Sequence, residues 1–182
     1  MSIELGSIQS MFIDISHHGQ TVRTGTACTG RWIFHLWGKC SVSIADNVTS
    51  NGCDVFINHG GRLEIGEDCM FANCFIHVGD NHAIFDVKTG DFLNVTSSPY
   101  VVFGKHVWSA SRVTVMADTI IGDGSILGAG AILKGNIPPC SLVVGVPGRA
   151  VRTGVSWTRS ANGHGWENVI ERFGFDKFLP ET

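Results

Sequence analysis

The chain has 182 residues, 43% of them apolar and only 16% charged, with a formal net charge of −3. That is enough apolar material to bury one full core without a second domain. The weak acidic balance excludes the basic surface that nucleic acid or an anionic membrane requires. Six cysteines (Cys28, Cys40, Cys53, Cys69, Cys74 and Cys140) include no C-x-x-C pair. They read as small apolar side chains facing an interior, not as a zinc site or a disulfide framework.

Residues 1–40 alternate apolar and polar groups in short stretches, such as Met11-Phe12-Ile13 and Trp32-Ile33-Phe34-His35-Leu36-Trp37. They are expected to form irregular strands that cap the first coil of a repeating body. Glu4, Asp14, His17 and His18 interrupt the early apolar residues, so this start does not read as a secretion signal. The cytoplasm is the expected compartment. From Ser41 to Val78 an apolar-then-small pattern appears in broken form at Ile44-Ala45, Ile65-Gly66 and Phe71-Ala72, with loops or bulges expected at the slips. Residues 79–100 lose the pattern, and Asp80-Asn81-His82-Ala83-Ile84-Phe85-Asp86 begins a polar, turn-rich loop projecting from the body. Loops on repeat scaffolds commonly carry the functional groups.

The central run is the strongest signal. A two-residue signature returns every six positions, led by Phe103, Ser109, Val115, Ile121, Leu127 and Leu133. The fourth residue after each (Val107, Val113, Thr119, Ser125, Ala131, Ile137) is again small or branched. No helix has that period. It is the mark of a hexapeptide β-solenoid, in which each hexad supplies one short strand and one corner, and coils are stable only when stacked. Pro138-Pro139 is expected to end the regular ladder. The apolar spacing of Trp166-Glu167-Asn168-Val169-Ile170-Glu171-Arg172-Phe173 predicts a short amphipathic helix in the tail.

Ile121-Gly122-Asp123-Gly124-Ser125-Ile126-Leu127-Gly128-Ala129-Gly130-Ala131-Ile132-Leu133, with Ile137-Pro138-Pro139 and Val144-Gly145-Val146-Pro147-Gly148-Arg149, resembles the end of the hexapeptide-repeat, left-handed β-helix acyltransferases. The Asp80–Asp86 loop, His106-Val107-Trp108 and Val155-Ser156-Trp157-Thr158-Arg159 make the chain similar to bacterial capsular polysaccharide and polysialic acid O-acetyltransferases. The resemblance covers residues 41–159. It implies an all-β, left-handed parallel β-helix forming one acetyltransferase domain over 1–182. Within that domain it implies N-terminal capping strands at 1–40, the β-helix at 41–152 with its catalytic loop at 79–100, and a tail at 153–182. It also implies a homotrimer with active sites between protomers, acetyl-CoA as co-substrate without a required metal, a carbohydrate acceptor, and neither a nucleic-acid partner nor a membrane span.

On this resemblance His82 is the general base that takes a proton from an acceptor hydroxyl, and the attacking oxygen forms a tetrahedral oxyanion held by donors that are not assigned. The residue type suits the task, because a sugar hydroxyl is a weak nucleophile at neutral pH and imidazole titrates near that pH. Asp80 or Asp86 is a candidate to orient the ring. Trp108 is implied as an aromatic flank for the acceptor or the CoA arm. Ala129 and Gly130 are implied against the pantetheine arm, with Arg149 and Arg152 near the CoA phosphates. Arg112 and Lys134 are further candidate contacts, each one position away from where relatives place a basic residue. Such an offset inverts the facing of a strand residue.

Other readings remain open on sequence. They are a sugar-nucleotide N-acetyltransferase, a xenobiotic O-acetyltransferase, and a non-catalytic trimeric sugar-binding scaffold. A zinc enzyme like the γ-class carbonic anhydrases is a fourth, built on His59, His77 and His82, with three protein ligands and an open position.

Overall fold

The computed structural model describes residues 2–4, 10–15, 18–95 and 98–178. Parts of the expected capping segment, of the loop and of the tail (1, 5–9, 16–17, 96–97 and 179–182) lie outside them. The chain is mostly β. Its strands are β1 Ser2–Glu4, β2 Ser10–Ile15, β3 Thr21–Thr24, β4 Thr29–Leu36, β5 Ser41–Ile44, β6 Thr49–Ile57 and β7 Arg62–Ile65. They continue as β8 Met70–Val78, β9 Tyr100–Phe103, β10 Trp108–Ile121, β11 Ile126–Leu127, β12 Ile132–Ile137, β13 Ser141–Val144 and β14 Arg149–Thr153. Among the described residues one α-helix, α1, spans Trp166–Phe173, where the apolar spacing predicts it.

Pairing is parallel up to β13 and falls on three faces. The first face stacks β1, β3, β5, β7, β9 and the end of β10. The second stacks Thr29, Thr49, Met70, Trp108 and Ile126 at the starts of their strands, and then Leu142. The third stacks Phe34, Val55, Ile76, Val115 and Leu133. The chain visits the faces in order and returns to the same face about one coil later.

The hexad positions explain why. Trp108 pairs Ile126 and Thr114 pairs Ile132, each eighteen residues on, which is three hexads per coil. All twelve residues of the repeat, from Phe103 and Val107 to Leu133 and Ile137, are buried. Small side chains such as Ser109, Ser125 and Ala131 fit the crowded interior near corners, while Trp32, Phe71 and Phe103 fill it edge to face, with centroids 5.5 and 5.1 Å apart.

Two expectations for the first half change. The strands of the leading segment are regular members of the same ladders: β1 pairs β3, β3 pairs β5, and β2 pairs β4, all in parallel. From Ser41 to Val78 the register does not slip, since Ser41 pairs Arg62 and Thr49 pairs Met70 at a constant offset. The six-residue rhythm fails there because each coil is twenty-one residues long: the passage from the third face to the first, around Asn58-His59-Gly60, takes ten residues from Val55 to Ile65 where the regular coil takes six from Val115 to Ile121, and the passage at Asn51-Gly52 is one residue short of a hexad. The expected bulges do occur where this segment meets the flanking coils: Ser50–Cys53 of β6 faces Gly30–Trp32 with one extra residue, and Asn73–Cys74 of β8 faces Ser111–Val113. Pro138-Pro139 occupies a corner, and the ladder continues with β13 before β14 turns back antiparallel on it.

The corner from the first face to the second is made by a left-handed residue in successive coils: Ala27, Asn47, Asp68, His106, Gly124 and Cys140, with φ between 51° and 71°. At Gly124 a Cβ would lie 2.6 Å from the Phe175 ring, so glycine is what lets the tail pack against this corner. All six cysteines are buried and unpaired by disulfides. Burial pushes the Cys40 thiol up to about 11 and the Cys69 thiol up to about 12, which makes both poor nucleophiles.

Candidate functional site

The corner from the third face to the first carries the insertion. Val78 ends β8, the loop runs through 79–99, and Tyr100 resumes the first face. One isolated antiparallel bridge, Phe85 to Phe92, folds the loop on itself. Asn94 clasps its base. Its Nδ2 donates to Asp80 Oδ2 and to the His82 carbonyl oxygen, both at 2.9 Å, and its Oδ1 accepts the Ile84 N–H at 2.6 Å. Asp86 caps a turn, accepting the N–H groups of Lys88 and Thr89.

His82 is exposed, and its ring makes no hydrogen bond or ion pair with the described residues. It lines a cavity of about 240 Å³ with Asn58, His59, Asp80, Asn94 and Pro99. Neither Asp80 nor Asp86 hydrogen-bonds its ring: Asp80 Oδ2 accepts from Asn94, and Asp86 Oδ1 accepts from its own turn. His77, of the three histidines considered for zinc, lies on the outer third face with its ring edge-on to Phe56 at 6.1 Å. Among the described residues no group of three or more His, Cys, Asp or Glu side chains is arranged to hold a metal ion.

Trp108 stands at a different corner, where the first face turns to the second. It is half-buried, with its ring tilted against Trp157 at 6.0 Å. Within one chain the structure therefore does not bring His82 and Trp108 together. A third corner, between the second and third faces, gathers Arg112, Ala129 and Gly130: the Gly130 N–H donates to the Ser111 carbonyl oxygen. Arg112, Ala129 and Gly130 are exposed, and nothing lies within 4 Å of where a Gly130 Cβ would be. Arg149 and Arg152 lie on exposed β14, and Arg149 donates to the Gly148 carbonyl oxygen. Lys134 separates from this group. It lines a smaller cavity at the base of the loop, with Asp80, Asn94, Ala117 and Asp118, as its one-position offset foreshadows.

A buried cluster that sequence reasoning missed fixes the Trp108 corner. His106, 1% exposed, places Nδ1 2.7 Å from Asp68 Oδ2 and Nε2 2.8 Å from the Trp157 carbonyl oxygen. The Trp157 indole N–H donates to the His106 carbonyl oxygen at 2.8 Å, and the two rings stack at 4.3 Å. Arg159 donates from Nε and Nη2 to Asp68 Oδ1 at 3.1 and 2.9 Å, and also reaches the Asn47 carbonyl oxygen and Thr49 Oγ1. Burial by itself would raise the Asp68 carboxyl, but the hydrogen bonds and charges of His106 and Arg159 outweigh it and hold the group below its usual range. His106 and Trp157 appear in the sequence as parts of recognisable segments. Their partnership spans 51 residues and gives no local signal.

No family model matches the sequence. Among curated proteins, the chain is 30% identical over 125 residues to the putative lipopolysaccharide biosynthesis O-acetyl transferase WbbJ of Escherichia coli K12, covering 64% of this chain and 62% of that protein. It is 32% identical over 82 residues to the polysialic acid O-acetyltransferase of Neisseria meningitidis, covering 44% and 37%. It is 29% identical over 120 residues to the galactoside O-acetyltransferase of E. coli K12, covering 54% and 57%. The chain thus spans less than two thirds of the length of each of these relatives. Among solved structures, the polysialic acid O-acetyltransferase OatWY superposes with a TM-score of 0.67 at 20% identity, over 96% of this chain and 99% of that one. The polySia-specific acetyltransferase NeuO gives 0.63 at 15%, over 98% and 87%. These two likenesses concern the fold.

Proposed function

We propose that this chain, whose homologues are hexapeptide-repeat acetyltransferases, transfers acetyl from acetyl-CoA to a hydroxyl of a bacterial capsular or surface polysaccharide. The observation that carries the reading is the unpartnered His82 imidazole on the wall of a polar cavity, held there by the Asn94 clasp. The acceptor O–H gives its proton to the free ring nitrogen as the oxygen bonds to the acetyl carbon. The carbon–sulfur bond breaks, and the proton passes from His82 to the departing sulfur, leaving an ester and CoA thiol. General-base help of this kind is worth about 10²–10⁴ in rate.

The parallel ladders wind as a left-handed β-helix in this reading, and three copies assemble. Support for assembly comes from the separation of His82 and Trp108 onto different corners, so that a loop from one copy meets the Trp108 corner of the next. Apolar side chains exposed on the loop, among them Ile84, Phe85, Phe92 and Leu93, are suited to burial against a neighbour. Arg112, Ala129 and Gly130 would hold the pantetheine and phosphates of acetyl-CoA, with Arg149 and Arg152 adding charge. The co-substrate supplies the activated acyl carbon. The chain's own residues position it, remove the proton and exclude water. No helix among the described residues is long and apolar enough to cross a membrane. A cytoplasmic site of action belongs to the same proposal.

Thiol release from acetyl-CoA tests the proposal, measured with and without polysialic acid or a β-galactoside. Release that rises with acceptor is expected. Release that stays at the acceptor-free background across polysaccharides and small sugars would overturn it.

A further inference from the structure

A stripe of aromatic rings runs along the outside of the third face and ends at the cavity beside His82. His35, Phe56 and His77 occupy matching positions on β4, β6 and β8, since His35 pairs Phe56 and Phe56 pairs His77. Each lies between two buried neighbours, so strand alternation turns all three side chains outward, where they are half-buried. The rings of His35 and Phe56 stack at 4.2 Å with 14° between their planes, and His77 stands edge-on to Phe56. Trp37 extends the stripe toward the corner, 5.7 Å from Phe56, and Phe75, 37% exposed, widens it at 5.1 Å. The next coil places Met116 opposite His77, so the solenoid itself does not require a ring in this row.

The stripe is continuous with the cavity. Phe56 stands two residues before Asn58, and His77 two residues before Gly79; Asn58, His59 and Gly79 all line the cavity. A Cβ at Gly38, the neighbour of Trp37, would lie 2.6 Å from His59 Nδ1, so the His59 ring rests across the end of the stripe. We propose that the stripe binds the sugar units next to the one that reacts at His82, and that the acceptor is therefore a chain of sugars and not a free monosaccharide. The proposal rests on the acetyltransferase reading above. A sugar ring has an apolar face of C–H groups and a rim of hydroxyls, and the C–H face packs on the negative face of an aromatic ring. The His77 ring makes no hydrogen bond with the described residues, which leaves its nitrogens for rim hydroxyls, and exposed Asp54, paired beside Phe75, can accept from others. At the usual strand spacing the rings of β4 and β8 stand about 10 Å apart, room for more than one sugar unit. A polymer seated at His82 reaches these rings without a break. The contact between copies read above uses the loop and the Trp108 corner instead.

The experiment uses the intact protein with acetyl-CoA and two series of probes, α-2,8-linked sialic acid and β-1,4-linked galactose, each as oligomers of two and of six units. In whichever series the wild type acetylates, the six-unit member should have the higher kcat/KM. Trp37→Ala should lower the ratio of six-unit to two-unit kcat/KM by about 3–10-fold, the worth of one ring contact. Trp37→Phe, which keeps a ring, should restore most of it, and Phe56→Thr should lower the ratio as Trp37→Ala does. The ratio is insensitive to a loss of folded protein, because both lengths then fall together. A wild-type ratio near one, or a ratio that Trp37→Ala and Phe56→Thr leave unchanged, would overturn the proposal and leave the acetyltransferase reading standing. A smaller assembly of either variant in size-exclusion chromatography would also overturn it, by showing that a second copy covers the stripe. Thiol release that stays at the acceptor-free background with both series would remove the acetyltransferase reading and this proposal with it.

Discussion

Two histidines at two corners of the same scaffold lie in opposite circumstances. His106 is sealed under the tail, stacked on Trp157 and bonded at both ring nitrogens. His82 stands on a projecting loop, exposed and bonded at neither. A ring whose nitrogens are both engaged by protein acceptors can position a chain segment but cannot exchange protons with a ligand. The free ring can. The comparison separates the part of the molecule that holds it together from the part able to do chemistry. It also separates two effects of mutation: a change at the His106 corner should act on stability, and a change at the His82 corner on turnover.

The largest expected effect is at His106. His106→Ala leaves Asp68 without its buried partner and removes the ring on which Trp157 stacks, and should cost about 3–5 kcal/mol in denaturant unfolding. A loss under about 1 kcal/mol, the scale of an exposed ion pair, would dissolve the contrast between the corners. Arg159→Ala removes charge-assisted bonds to Asp68 and the tie to Asn47 and Thr49, with about 1.5–3 kcal/mol expected by the same measurement. The Asp68 carboxyl then gives a pH signature. Its folded pKa lies below the ordinary aspartate value of about 3.9, so over the interval beneath that value the unfolded chain binds the proton and the native chain does not. Stability from this group is complete above about pH 4 and is lost as pH falls through the lower folded value. Asp68→Asn should flatten that part of the stability–pH curve, and an unchanged acid slope would show that Asp68 carries none of it. The smallest effect is expected at Asn94. Asn94→Ala loosens the loop base and should lower global stability by about 0.5–1.5 kcal/mol. Its larger consequence should be faster amide exchange across 80–95, which would be absent if the clasp were incidental.

Legibility followed locality. Phe103 to Ile137 could be read residue by residue because eighteen-residue coils keep interior positions in phase with the hexad, and every one of those positions is buried. The loop was visible as a gap in the pattern, and α1 through the spacing of Trp166, Val169, Ile170 and Phe173. The first coils were harder to read. Their corners hold extra residues that move the phase while leaving the strand ladder intact, so regular strands looked irregular. His106, Asp68 and Arg159 could not be assembled from sequence, because their contacts join segments 38 to 91 residues apart. For the candidate site, the loop that carries His82 was legible as a break in the hexad, while the Asn94 contacts to Asp80 and to the His82 carbonyl oxygen, which join residues 12 to 14 apart, were not.

The most direct test is a paired measurement on His82→Ala: melting temperature, and acceptor-dependent thiol release from acetyl-CoA, each beside wild type. If the free imidazole is the base, the melting temperature stays unchanged and the rate falls by about 10²–10⁴. Acceptor-dependent release at the wild-type rate would show that His82 is not the base and would contradict the assignment on which the division between the two corners rests.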